Sequence, residues 1–532
     1  MLTSDNLNVK NFVEGDKINN RRQAKNLEEM EIIKSSDILC NKEGVDSVLV
    51  RYHNRTKVLK SFEEALILYI AAVEEGSMNA QTNVGFLFNH GLGVPQDYLK
   101  AMYWYRKAAD QGERNAQRNI GFLFDLGHGV TQNHSNAIYW YRKAADQGEP
   151  DAQRLLGILF AEGQGVSKNY IEAINWFRKA ADQENLEAQR CIGFLFEEGG
   201  YGISQDYSEA MTWYRKAADQ GEPEAQRFVG TLFAKGKGVV KDYASAMIWY
   251  RKAADRGSLI AQTLIGALYE EGGYGVAQDY SDAMTWYRKA ADQGEPEAQR
   301  FVATLFVQGK GVLKDYTSAM IWYRKAADQG NLIAQAFIGS LYEEGGYGVT
   351  KDYSKAMTWY RKAADRRDAT ALFCVASLFY NGRGVLKDYR KSLEWASKSA
   401  DQGSIAALNL MGTLFEKGGH GLSQDYDKAI IIYQKASEKD DVFAMCNIGC
   451  LFYYGHGVPQ NQQEARKWFN KAVALDSEKV FEYGQQKLDV HICEPADIVL
   501  GVKLIKISAA KGNLNAKRWL AEIITATASP LH

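Results

Sequence analysis

Residues 223–257 read PEAQRFVGTLFAKGKGVVKDYASAMIWYRKAADRG, and two helices are written in them. Ala225, Val229, Leu232 and Phe233 fall at i, i+4, i+7 and i+8, which puts them on one face of a first helix. Pro223 suits its first position, where the missing N–H costs nothing. Gly236 and Gly238 end it, because glycine tolerates the left-handed conformation of a C-terminal cap. Asp242 is expected to N-cap a second helix. Its counterparts Asp206 and Asp279 carry an acid three residues on, Glu209 and Asp282, which is the spacing of a capping box. The second helix places Tyr243, Ala246, Trp249, Tyr250 and Ala253 on its apolar side, with Arg251 and Lys252 toward its C-terminal half, where the helix dipole favours cations. Gly230, Ala246 and Ala253 permit close helix approach. A lone hairpin of this kind cannot bury both faces, so neighbours must stack on it.

The rest of the chain supplies those neighbours. Gly193, Gly266, Gly339 and Gly412 lie 73 residues apart, each in a near-copy of one stretch, and each stretch holds two units of 37 and 36 residues. The segments 197–265 and 270–338 are alike enough to be a recent duplication. A period in the mid-thirties marks an array of helical hairpins, which offers surfaces and seldom a catalytic centre.

The chain has 532 residues, with 64 Lys and Arg against 65 Asp and Glu, whereas a nucleic-acid-binding domain is normally visibly basic. The longest early apolar run, Ala65 to Val73, is too short to span a bilayer. The N-terminus MLTSDNLNVKNFVEGDK lacks the apolar core of a secretory signal, and the final Ser-Pro-Leu-His is no prenylation box. The six cysteines, Cys40, Cys191, Cys374, Cys446, Cys450 and Cys493, share no repeat-wise spacing and so form no disulfide framework. Cys446 and Cys450 are four apart on one helix, without the His or second Cys pair that zinc requires. His90, His128, His420 and His456 are placed in the glycine loops, where successive units supply one histidine at most. No metal, cofactor or catalytic residue is expected.

The pattern A-x-x-x-x-G-x-L-[FY]-x-x-G-x-G-V-x-x-[DN]-Y-x-x-A-x-x-W-[YF]-x-K-A-A resembles the Sel-1-like repeat, a relative of the tetratricopeptide repeat. Eleven complete units run between about Asn79 and Asp476. The resemblance implies an all-α fold, a right-handed superhelical solenoid of antiparallel helix pairs. The expected organisation is a polar N-terminal segment over residues 1–58, the array with a partial leading unit over 59–476, and a degenerate repeat and cap over 477–532. It further implies a non-catalytic scaffold that binds a protein partner along a concave groove. Family members include adaptors of endoplasmic-reticulum degradation complexes, activators of fungal chitin synthase, and bacterial signalling or host-interaction proteins.

Two stripes recur in the array. Ten of the eleven tryptophans share one position of the second helix, which is Leu68 or Ile432 in two other units, and replacement by plain aliphatics assigns that position to the core. Arg118, Arg154, Arg190, Arg227 and Arg300 share one position of the first helix, three before the small residue. By resemblance to tetratricopeptide arrays this position faces the groove, as does the position of Phe122, Ile158 and Phe194. Those eight residues are the candidate protein-binding set, suited to an acidic or extended peptide. The competing reading pairs Arg154, Arg190, Arg227 and Arg300 with Asp151, Glu187, Glu224 and Glu297, three residues earlier.

The expected partner is therefore protein, with no nucleic acid and no direct membrane insertion, and the expected location is the cytoplasm. Two alternatives stay open: a regulatory adaptor of a membrane-associated enzyme complex, of the chitin synthase or degradation-ligase kind, and an enzyme or enzyme regulator whose activity sits in a degenerate terminal segment.

Overall fold

The computed structural model describes residues 62–488 and 495–528; the segment 1–58, with Cys40, lies outside them, as does Cys493. Among the described residues all twenty-six regular elements are helices. They form the expected all-α solenoid of repeated helix pairs. The chain divides into two compact units, Met1–Trp286 and Tyr287–His532.

In the first unit, the hairpin of Pro223–Lys235 and Tyr243–Asp255 shows how each pair is made. Pro223 opens the leading helix, and Gly236, at φ 64°, closes it in the left-handed conformation. The cap before Pro223 is Glu222, whose carboxylate accepts from the Ala225 N–H. Glu113, Glu149 and, in the second unit, Glu295 repeat this arrangement. Glutamate is outside the usual N-cap set, which is why the sequence pattern does not announce it. Asp242 caps the trailing helix, accepting from the N–H groups of Ala244 and Ser245 at 2.9 and 3.1 Å. The reciprocal arm of the expected capping box is replaced. The N–H groups of Asp206 and Asp279 bond instead to the carbonyls of Phe196 and Tyr269 on the leading helix, at 2.8 Å in each case. The cap thus also ties the hairpin together.

The two helices meet at a glycine. A Cβ on Gly230 would lie 2.7 Å from the ring of Tyr250, a side chain with no exposed surface. The Tyr250 hydroxyl shares a 3.1 Å hydrogen bond with Thr231 Oγ1, so the buried phenol is satisfied. Trp249, beside it, is also buried but serves the next seam, packing with Tyr214, Ala217 and Val229 in the core shared with the preceding trailing helix. Lys252 covers it, its Nζ 3.9 Å from the ring centroid. The tryptophan stripe is core in this hairpin, while Trp104, Trp213 and Trp359 keep part of their surface in solvent.

A glutamine ladder joins neighbouring hairpins. Gln147 donates to Gln117, Gln183 to Gln153, and Gln220 to Gln189, at 2.8, 2.9 and 3.2 Å. Gln329 donates to Gln299 at 3.0 Å within the second unit. Gln117, Gln153 and Gln299 in turn donate to the carbonyls of Ala109, Ala145 and Ala291.

The loops inside the hairpins come in two lengths. Short ones such as 236–242 use two left-handed glycines. Gly238 also approaches the preceding hairpin so closely that a Cβ would sit 2.8 Å from that of Tyr207. Long ones carry a tight bridge, Gly200 with Ile203 and Gly273 with Val276 in the first unit, Gly346 with Val349 and Gly419 with Leu422 in the second. At their tips Tyr201, Tyr274, Tyr347 and His420 have φ between 46° and 49°, a conformation that non-glycine residues rarely adopt. Each tip carbonyl accepts the N–H that opens the preceding trailing helix, from Tyr170, Tyr243, Tyr316 and Tyr389 respectively, at 2.9–3.2 Å. His128 and His456 lie in short loops, whereas His90 is the last residue of the helix Met78–His90 and not a loop residue.

In the second unit, the helices Ser477–Gln486, Pro495–Ala510 and Leu514–Ala528 follow the last full hairpin. Their grammar is the same, with Asn513 capping the last helix through a 2.7 Å bond from the Ala516 N–H.

Candidate interaction face

The stacking of leading helices brings the arginine stripe together with acids from two places. Arg118 reaches forward to the next hairpin, its Nη1 3.0 Å from Asp151 and 3.3 Å from Glu149. Arg154 also reaches forward, 3.1 Å to Glu187, with Asp151 of its own turn at 3.8 Å. Arg190 has Glu222 of the next hairpin at 3.8 Å, and its Nε has no hydrogen-bond partner among the described residues. Arg227 turns back onto its own helix, 2.9 Å from Glu224, and lies over the ring of Phe228 at 4.3 Å. In the second unit Arg300 does the same, 2.8 Å from Glu297 and 4.0 Å from the centroid of Phe301. Local i,i+3 pairing thus accounts for Arg227 and Arg300, while the three N-terminal arginines link successive hairpins.

Burial varies along the stripe in the first unit, with the side chains of Arg118 and Arg154 28% and 12% exposed. The side chain of Arg227 is 1% exposed and that of Arg190 is 30% exposed. The carboxylates register the difference. Burial raises Glu222 above the ordinary carboxylate value, opposed by a distant Arg190. Burial also works to raise Glu224, but the close Arg227 outweighs it and holds Glu224 low. Phe122 and Ile158 are half-buried, packed against the cores around Tyr141 and Phe177. Phe194 stands out at 39% exposed, four residues after Arg190 on the helix Leu186–Glu198.

Glutamates at the ends of the leading helices are engaged internally. Glu197, Glu343 and Glu416 accept hydrogen bonds from the hydroxyls of Tyr214, Tyr360 and Tyr433 at 2.8–3.0 Å, and Glu344 accepts from Tyr316. Cys446 and Cys450 are both buried in one core, with Cys450 Sγ 3.3 Å from the Tyr483 hydroxyl. No cluster of three or more His, Cys, Asp or Glu residues that could hold a metal ion occurs among the described residues. No described helix is long and apolar enough to cross a membrane. The glutamate caps and the glutamine ladder escaped the sequence reading. Their signal was the recurrence of Glu before Pro150, Pro223 and Pro296, and of Gln in both A-Q and D-Q contexts.

The Sel1 repeat model matches twelve segments, residues 50–77, 79–113, 114–149, 150–185, 186–222, 223–258, 259–295, 296–331, 332–368, 369–404, 405–441 and 442–477. A protective antigen of uropathogenic Escherichia coli displaying an SLR fold is 32% identical, over 85% of this chain and 92% of that one, with a TM-score of 0.48. A Sel1 repeat protein from Oxalobacter formigenes is 34% identical, over 46% of this chain and 96% of that one, with a TM-score of 0.41. No curated protein matches the chain. With twelve repeats matched across most of its length, the chain belongs to the Sel1 repeat family, helical solenoids that commonly serve as protein–protein interaction scaffolds.

Proposed function

We propose that this protein is a non-catalytic adaptor that seats a protein partner on the leading-helix face of its first unit, across Arg118, Arg154, Arg190 and the apolar side chains Phe122, Ile158 and Phe194. The observation that carries the reading is the pair Arg190 and Phe194. One is a guanidinium side chain 30% exposed and paired with Glu222 only at 3.8 Å, and the other is an aromatic side chain with 39% of its surface in water. An extended segment with a carboxylate next to an apolar residue satisfies both. A guanidinium donates two parallel hydrogen bonds to a carboxylate, and an exposed aromatic is a common interface anchor. Arg227, its side chain 1% exposed, then supports the face from beneath rather than meeting the partner directly.

The test is quantitative cross-linking and proximity labelling in the native cell, comparing wild type with Arg190→Glu combined with Phe194→Ala. The variant should retain helix content and lose the enriched partner, and added salt should weaken the wild-type complex because exposed charges are screened. An unchanged partner set and unchanged salt response would place the binding surface elsewhere.

A further inference from the structure

In the second unit, the short loops 309–315 and 382–388 read GKGVLKD and GRGVLKD, and their leucines, Leu313 and Leu386, are each 91% exposed. Burying a leucine side chain is favourable, and these two equivalent tips leave theirs in water. Loop geometry does not demand them. Other short loops have the same left-handed glycines, Gly91 and Gly93 at φ 66° and 68° against Gly309 and Gly311 at 69° and 68°, yet carry Pro95, Thr131 and Ser167 at this position, while the loop 236–242 carries Val240, 86% exposed. The array therefore contains its own control: the backbone is constant while the tip side chain changes.

The surroundings of the leucines change in step. Lys310 and Lys314 flank Leu313, and Arg383 and Lys387 flank Leu386. The corresponding residues are Leu92 and Gln96 beside Pro95 but Lys237 and Lys241 beside Val240, so the exposed aliphatic tips are the ones with a cation on both sides. Over 309–315, 345–355 and 382–391 there are eight Lys and Arg against three Asp. Those three, Asp315, Asp352 and Asp388, are helix caps whose carboxylates accept from backbone N–H groups. Glu343 is drawn to Arg383 at 3.3 Å. The segments lie along one edge. Loop 345–352 caps Tyr316 through the Tyr347 carbonyl, and Gly384 of the next loop packs on Tyr353. Between the two leucines stands Tyr347, mostly exposed, with Lys314 Nζ 4.4 Å from its ring centroid.

We propose that this loop edge is a peripheral docking surface for an anionic lipid bilayer, with Leu313 and Leu386 inserting at the headgroup level and the flanking cations meeting the lipid phosphates and carboxylates. With each leucine 91% exposed, its own chain covers almost none of it. Shallow apolar insertion and attraction to anionic lipid reinforce each other. Tyrosine favours the same interfacial depth, and long basic side chains can keep their charge among the headgroups while their stems lie on apolar surface. Such contact crosses nothing, and it is independent of the partner face on the first unit.

The experiment is co-sedimentation of the full-length chain with vesicles of phosphatidylcholine alone and of phosphatidylcholine mixed with phosphatidylserine. Phosphatidylserine-dependent binding that declines with salt is expected. Leu313→Ser with Leu386→Ser, a residue the loop already carries at Ser167, should leave helicity unchanged and weaken binding by about tenfold. Absence of phosphatidylserine-dependent binding overturns the proposal, and so does binding that the double leucine variant leaves intact. Retention on polyglutamate without vesicle binding also overturns it, assigning the edge to an acidic protein instead.

Discussion

Gln147 donates its side-chain amide to the side-chain carbonyl of Gln117 at 2.8 Å, and Gln117 donates in turn to the main-chain carbonyl of Ala109. One neutral relay thus crosses the seam between hairpins and also satisfies a buried carbonyl at the end of the preceding helix. Replacing Gln117 with Leu removes the acceptor for Gln147 and one of two donors to the Ala109 carbonyl, which keeps the Gly112 N–H at 3.0 Å. The expected cost is about 0.5–1.5 kcal/mol, the net worth of an ordinary hydrogen bond. Hydrogen exchange should accelerate in the two hairpins that share the seam and little beyond them, since repeat arrays are stabilised by nearest neighbours. Uniform acceleration along the chain would reject this picture.

The glycine–tyrosine seam is the second target. Tyr250→Ala should cost about 3–5 kcal/mol, as for other buried aromatic truncations. Gly230→Val drives a side chain into the Tyr250 ring and should cost about 1–3 kcal/mol by overpacking. Urea unfolding followed by helicity measures both, and a neutral Gly230→Val would show that the helices separate more easily than their 2.7 Å approach implies.

Two arginines of one stripe should respond unequally to charge reversal. Arg227→Glu places a second carboxylate beside Glu224 at a site almost without solvent. Breaking a buried pair typically costs about 3–5 kcal/mol. Arg190→Glu, at a half-buried side chain 3.8 Å from Glu222, should shift the urea midpoint far less. Equal destabilisation by the two would remove Arg190 from the accessible surface.

Acid should act through the trailing-helix caps. The Ser245 hydroxyl and then the backbone N–H groups hold Asp242 below its ordinary value of 3.8, and Ser318 does the same for Asp315. A lowered native value stabilises the fold above pH 3.8, and that contribution disappears as pH falls through the native value. Glu149 and Glu222 have the reverse sign. Burial lifts them above 4.5, so folding gains as pH falls through their raised values. Helicity should therefore hold down to about pH 4.5 and decline below 3.8. Asp242→Asn with Asp315→Asn should flatten that decline, and an unaltered acid limb would show that other groups control it.

The helix starts and stops around Pro223, Gly236 and Asp242 were legible in the sequence because each uses local chemistry that repeats every hairpin. The family was legible for the same reason. The arginine pairing was legible only in part. The bonds of Arg227 and Arg300 run within one helical turn, where spacing alone predicts contact, but those of Arg118 and Arg154 cross to acids 31–33 residues away, and their existence depends on how far one hairpin slides along the next. Glu222 was passed over because glutamate is a poor cap in isolation. The exposure of Leu313 and Leu386 has no signature in the sequence, because leucine also fills the core at Leu305 and Leu378.

The long loops carry a consequence for the ancestry of the array. The tips at Tyr201, Tyr274, Tyr347 and His420 each complete a helix start in the hairpin before them. A long-loop hairpin and its short-loop predecessor are thus inherited most safely together. Unequal crossing-over that inserts or deletes 73 codons recreates a junction the gene already has. Loss of a single short-loop hairpin from the 186–441 region would set two long loops side by side, an arrangement this chain nowhere contains. Lineages descended from this gene should accordingly differ in length by whole pairs of hairpins in that region.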